Sequence, residues 1–145
     1  MKLSANSEPI QNLVKHFSKL ERRQRYFMED ALKSSGLKGM MHKYVITIKN
    51  HPGTSQDFLA EFHSVDKSRV ARVVRELEKM GYIYRSANES DRRYHQLFLT
   101  DEGERLLGTI QQVSIEWGTI ITRGISTENI ATTIDTIEKM IVNAG

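Results

Sequence analysis

The chain has 145 residues, 39% of them hydrophobic, which is enough for one domain, or one domain with helical arms, around a buried core. It has no cysteine, which excludes disulfides, thiol redox sensing and cysteine-ligated zinc, and no run approaches the roughly 20 apolar residues of a membrane span. The net charge of +3 is mild but polarised, with balances of +4 over residues 1–65, +3 over 66–93 and −4 over 101–145, a distribution that suits presenting one side to a polyanion.

The stretch Met1 to Glu8 has no apolar secretory segment, so a cytoplasmic protein is expected. Pro9 suits the first position of a helix. Ile10, Leu13, Val14, Phe17, Leu20, Phe27, Met28 and Ala31 then follow helical spacing, which predicts a long first helix to about Lys33, broken by Ser34-Ser35-Gly36. A second helix is expected over about Met40 to Asn50, with Met41, Tyr44, Val45 and Ile48 on its apolar side and His51-Pro52-Gly53 as the stop. Ser55 can cap a short third helix carrying Phe58, Leu59 and Phe62. After the turn His63-Ser64-Val65, either Ser64 or Asp66 caps a fourth helix ending at Met80, and Gly81 supplies the left-handed residue beyond it.

Tyr82 to Arg85 reads as a strand and Ser86 to Arg93 as a hairpin loop with the cationic tip Asp91-Arg92-Arg93. Tyr94 to Leu99 reads as the return strand, with His95, Leu97 and Leu99 on one face and Tyr94, Gln96 and Phe98 on the other. Thr100 is a suitable N-cap, and Asp101 and Glu102 place negative charge in the first turn of a fifth helix that runs to about Arg123. Its apolar positions include Leu106, Ile110, Val113, Trp117 and Ile120. Ser126 caps a sixth helix in which Ile130, Ile134, Ile137 and Ile141 form a near-heptad seam.

The expected architecture is mainly α with a small β-wing. The seam and the apolar first helix predict dimerisation arms from both chain ends, residues 1–35 and 104–145, around a lobe of residues 37–100. Arms that simply pack on their own domain are the alternative. On a helical wheel of residues 67 to 80, Val70, Val73, Val74, Leu77 and Met80 fall within an arc of about 120°. Ser68, Arg72, Arg75 and Lys79 lie opposite, with Lys67 and Arg69 flanking them at the N-terminal end. A short helix, a tight turn, such a helix and then a hairpin make a winged helix-turn-helix, whose recognition helix reaches base edges in the major groove. Ser68, Arg69 and Arg72 are placed to read bases, Arg75 and Lys79 to meet phosphate, and Arg93 to enter the minor groove. An ordinary solvated helix face and hairpin turn would look similar in isolation. A winged helix used for protein or RNA interaction would not need Arg72, Arg75 and Arg93 on one surface.

These residues resemble the MarR family of bacterial transcription regulators. Asp91-x-Arg93, followed by Leu97-x-Leu99-Thr100-x-x-Gly103, is similar to that family's wing signature. Val65 to Ile83 is similar to its recognition helix and exit, and Ser55-Gln56-Asp57-Phe58-Leu59-Ala60 to the preceding helix. The resemblance covers the whole chain in length and helix order. It implies a homodimeric, ligand-responsive repressor on a pseudo-palindromic double-stranded operator near its own promoter, with Ser55 and Gln56 among the DNA-facing residues and Asp91 restraining Arg93. It also implies release of DNA by a small, often aromatic or acidic, effector held between arms and lobe. The family's peroxide-sensing branch needs a cysteine in its first helix and is excluded.

Phe17, Met40, Met41, Tyr44 and Trp117 are candidates to line such an effector cavity, where aromatic and flexible methionine side chains suit a ligand. Plain core packing is the alternative for them. A metal-responsive version would use His16 and His42, with Glu21 or Glu116. No His-x-x-x-His pair supports it, and no metal or other cofactor is expected. No phosphate-binding loop, nucleophile elbow, zinc-hydrolase motif or paired catalytic carboxylates point to an enzyme.

Overall fold

A computed structural model describes residues 7–91 and 93–145. The elements are α1 (Ser7–Ala31), a 3-10 turn (Lys33–Ser35), α2 (Met41–Asn50), α3 (Gln56–His63), α4 (Lys67–Lys79), β1 (Ile83–Ala87), β2 (His95–Leu99), α5 (Asp101–Ile121) and α6 (Thr127–Ala144). Among the described residues the architecture is the expected one, six α-helices with one two-stranded antiparallel sheet. The chain forms two compact units, the first ending at Val113 and the second comprising Ser114–Gly145. The lobe expected over residues 37–100 lies wholly within the first.

Local capping chemistry sets the helix starts. Ser55 Oγ accepts from Phe58 N at 3.1 Å, and Ser126 Oγ from Asn129 N at 3.2 Å. Of the two candidate caps for α4, Asp66 takes the role, its Oδ1 accepting from Arg69 N at 2.8 Å. Ser64 instead closes α3 in the left-handed conformation, φ 52°. Gly81, φ 82°, follows α4 as expected.

The first strand starts and ends later than its sequence suggests. Tyr82 stays outside the strand because its N–H donates to Leu77 O at the exit of α4 and its hydroxyl donates to Ser35 O at 2.7 Å, while its carbonyl alone keeps the ladder register by accepting from Thr100 N. The ladder instead runs from Ile83↔Leu99 to Ala87↔His95, so Ser86 and Ala87 are strand rather than loop. Thr54 adds a bridge beside Leu97, whose N–H donates to Thr54 O at 2.8 Å.

The core lies in the first unit. Met28, Leu32, Val45, Ile48, Leu59, Val70, Val74, Leu77, Ile83, Leu97 and Ile110 are its most buried side chains. The apolar periodicities of α2, α4 and the first half of α5 thus converge on one cluster, with Leu97 as the inward face of the wing. The N-terminal part of α1 behaves differently. Ile10, Leu13, Val14, Phe17 and Leu20 are all exposed in the single chain, and α6 has no buried residue.

His42 is buried in α2, and burial, with the Lys43 charge second, lowers its pKa from 6.5 to about 4. A native-state pKa below the unfolded value means that stability is full above pH 6.5. It is lost as pH falls from 6.5 towards 4, and constant below that. The shift corresponds to roughly 3 kcal/mol. Urea unfolding at neutral pH and near pH 4.5 should show most of this loss in the wild type. A His42→Gln variant should lose about 2 kcal/mol less over the same interval. Equal losses in both proteins would remove His42 as the cause.

Candidate nucleic-acid interface

Helix α4 presents two chemically opposite faces. Val70, Val74 and Leu77 are fully buried and Val73 and Met80 partly so, whereas Lys67, Ser68, Arg69, Arg72, Arg75 and Lys79 are exposed. Its first turn holds no acidic residue but carries Lys67 and Arg69, an arrangement the helix dipole disfavours. Asp66 offsets this. Its carboxylate accepts from the Ser68 hydroxyl and from Arg69 N, and these two bonds, in that order, hold its pKa below the usual carboxylate range. Lys67 Nζ also reaches Asp57 Oδ1 of α3 at 3.0 Å, tying the two helices at their exposed ends.

The wing tip is organised by one carboxylate. Asp91 Oδ1 accepts from Arg93 N at 3.0 Å and from Arg93 Nε at 3.2 Å, while its Oδ2 accepts from Nη2 at 3.1 Å. The Arg93 side chain, then its backbone N–H, lowers the Asp91 pKa. The Arg93 side chain nonetheless stays 85% exposed. Arg92, the other expected tip cation, lies outside the described residues.

Ser55, Gln56 and Asp57, at the start of α3, share a cleft of about 270 Å³ with Arg85, Arg93, Tyr94 and His95 of the hairpin. Two sequence candidates far apart in the chain, Gln56 and Arg93, therefore border one concave surface. Arg85 is fixed there by an ion pair to Glu78 Oε2 at 2.9 Å, which joins β1 to α4.

A second hollow, of about 390 Å³, has different lining within the first unit. Met40, Met41 and Tyr44 line it, as do Val65 and Val73. Its polar wall is Lys38, Lys43, His63, Arg69 and Glu76. Phe17 and Trp117 do not line it. Phe17 is exposed on α1 and Trp117 belongs to the second unit. His16 is exposed on α1, its Nδ1 2.5 Å from Asn12 O, while His42 is buried in α2. Among the described residues no group of three or more His, Cys, Asp or Glu could hold a metal ion.

The model of the MarR family matches residues 41–95, which run from α2 through the wing. The HTH-type transcriptional regulator BilQ of Clostridioides difficile (strain CD3) is 35% identical over 118 residues, 81% of this chain and 74% of that protein. The chain belongs to the MarR family. It is therefore a transcription regulator and not an enzyme. The fold agrees: a MarR transcriptional regulator from Methanosarcina mazei Go1 superposes with TM-score 0.87 at 24% identity, covering 92% of this chain and 96% of that one. A MarR family regulator from Listeria monocytogenes, solved with a 26mer DNA, superposes with TM-score 0.81 at 21% identity, covering 90% and 87%.

In this MarR-family chain, sequence reasoning overlooked several residues that border the two hollows. Arg85 could have been noticed, because a cation shares the strand face of the buried Ile83. His63 offers no such signal. It sits in an ordinary turn sequence, and only folding brings its ring 4.6 Å from that of Tyr44.

Proposed function

We propose that the chain is a homodimeric, effector-responsive repressor that sets α4 in the major groove of a pseudo-palindromic operator and the wing Arg93 in the adjacent minor groove. The observation that carries this reading is that the cations of α4 and of the wing are carried by one compact unit. The exposed face of α4 and the cleft holding Ser55, Gln56, Arg85 and Arg93 belong to the same compact unit, while the opposite face of α4 is core. Ser68, Arg69 and Arg72 stand near the start of α4 and read base edges. Arg75 and Lys79 lie further along and meet phosphate. The 26mer DNA in the Listeria monocytogenes structure supports the same partner for this fold. The exposed apolar stripes of α1 and α6 support a second copy as the cover of the arms. A small aromatic or acidic effector acts at the hollow beside Met40, Met41 and Tyr44.

Salt titrations on operator and scrambled duplex test the division of labour. Arg72→Ala should cost about 1–3 kcal/mol on operator and relax preference at particular base pairs. Lys79→Ala should weaken both duplexes alike and lower the salt slope by about one. Arg93→Ala should lose most on sites with A·T-rich flanks, where the narrow groove concentrates negative potential. Equal losses on both duplexes for all three variants would reduce this face to a charged surface without sequence reading.

A further inference from the structure

The cleft between α3 and the hairpin holds a histidine to which the division of DNA contacts gives no part. His95 lines it together with Asp57, Arg85, Arg93 and Tyr94. Its place is set by the ladder and by the closure of the tip. The pairs Arg85↔Leu97 and Ala87↔His95 lie two residues apart, so Arg85 and His95 share one face of the sheet. Just before it, Tyr94 N donates to Asp91 O at 3.1 Å and Tyr94 O accepts from Asn88 N at 3.2 Å, which fixes the backbone that leads into His95. His95 itself is exposed.

Among the described residues, the other charges at this cleft are already matched. Arg85 of β1 pairs with Glu78 of α4 at 2.9 Å, Arg93 of the tip with Asp91 at 3.1 Å, and Asp57 of α3 with Lys67 of α4 at 3.0 Å. Three cations thus face three carboxylates, and no ion pair among the described residues involves His95. Phenols, guanidiniums and carboxylates as classes titrate far from neutrality, whereas imidazoles titrate close to it. The proton of His95 therefore sets whether this cleft is charge-balanced or cationic.

We propose that His95 is a proton-gated contact to the DNA backbone: its imidazolium binds a phosphate of the strand bordering the groove that Arg93 enters, and DNA binding takes up a proton there. This rests on the DNA-binding reading above and adds its pH dependence. The placement follows from chain geometry. His95 is two residues behind Arg93, at most roughly 7 Å along the chain, and the minor groove is about 6 Å wide. With Arg93 in the groove, His95 stands at the phosphate wall. The cleft, at about 270 Å³, falls below the roughly 300–1,000 Å³ of small-molecule pockets, and a phosphodiester edge needs no enclosing cavity. The negative charge of the phosphate favours the imidazolium. Affinity therefore rises as pH falls through the histidine range and levels off once the ring is charged in free and bound chain alike.

The test is fluorescence anisotropy on the full chain with a mixed-sequence DNA duplex of about two and a half helical turns, at constant low salt, from about pH 8 to about pH 6. Wild-type affinity should rise roughly fivefold per wing across that range. Its salt slope should steepen by about one per wing at the acid end. His95→Gln should match the wild type at the alkaline end and lose both changes. His95→Lys, charged throughout, should bind at the alkaline end as tightly as the wild type does at the acid end. The remaining histidines are common to all three proteins, so the differences between them isolate His95. A pH trend of equal size in wild type and His95→Gln, a wild type without a trend, or a His95→Lys no tighter than His95→Gln at the alkaline end would each overturn this inference and leave DNA binding standing. Failure to bind the duplex at every pH would overturn the DNA-binding reading as well.

Discussion

Gly103→Ala should leave the protein unfolded or melting at least about 10 °C lower, a loss of several kcal/mol. A Cβ at Gly103 would sit 2.1 Å from Tyr82 O and 3.1 Å from Tyr82 C, with Leu99 Cβ at 3.3 Å. The first neighbour is a backbone carbonyl that already accepts from Thr100 N at 3.0 Å, so it cannot swing aside as a long side chain would. Thr100 Oγ1 meanwhile donates to Gly81 O and accepts from Gly103 N. The start of α5 is thereby locked to the exit of α4, and moving either one drags the recognition helix with it. Gly108→Ala, on the same helix, is the control. Its Cβ would meet nothing within 4 Å, and alanine is favoured in a helix by about 1 kcal/mol, so that variant should be slightly stabilised. Thermal melts that place Gly103→Ala level with the wild type would show that the close approach relaxes.

The second large effect concerns the arms. Ile134→Asp combined with Ile137→Asp should convert the proposed dimer to monomers or to unfolded chains, because each carboxylate would leave water without a partner. Ile134 is half exposed, and Ile141 and Val142 more so, as are Ile10 and Val14 of α1. Apolar surface of this extent is costly to leave in water at roughly 25 cal/mol per Å². Light scattering should find wild-type dimers at micromolar concentration. A monomeric wild type, or a double variant that still dimerises, would refute the seam.

The parts of the fold that sequence reading recovers are those set by local chemistry or strict periodicity. The two faces of α4 need only a wheel, and Ser55, Thr100 and Ser126 announce their helices through side-chain caps. What it misses depends on contacts between distant segments. Tyr82 is aromatic and next to a strand, yet Leu77 takes its N–H and Ser35 its hydroxyl, which leaves it outside the strand. The joining of Gln56 to Arg93, the anchoring of Arg85 by Glu78 and the pairing of His63 with Thr47 all arise the same way. The cations and the histidine that share a hollow with Met40, Met41 and Tyr44 are brought there in the same way.

Arginine is among the most flexible side chains, and immobilising it on a ligand normally carries an entropic penalty at the moment of contact. In this wing the penalty falls earlier. One carboxylate grips both the backbone N–H and the guanidinium of Arg93, so the long side chain is ordered when the hairpin folds. The tip thus acts as a preset prong rather than a loose tether. Removing the Asp91 carboxylate would leave the charge of Arg93 intact and its contact enthalpy little altered. The loss should appear in the binding entropy, as a guanidinium that must find its own position in the groove.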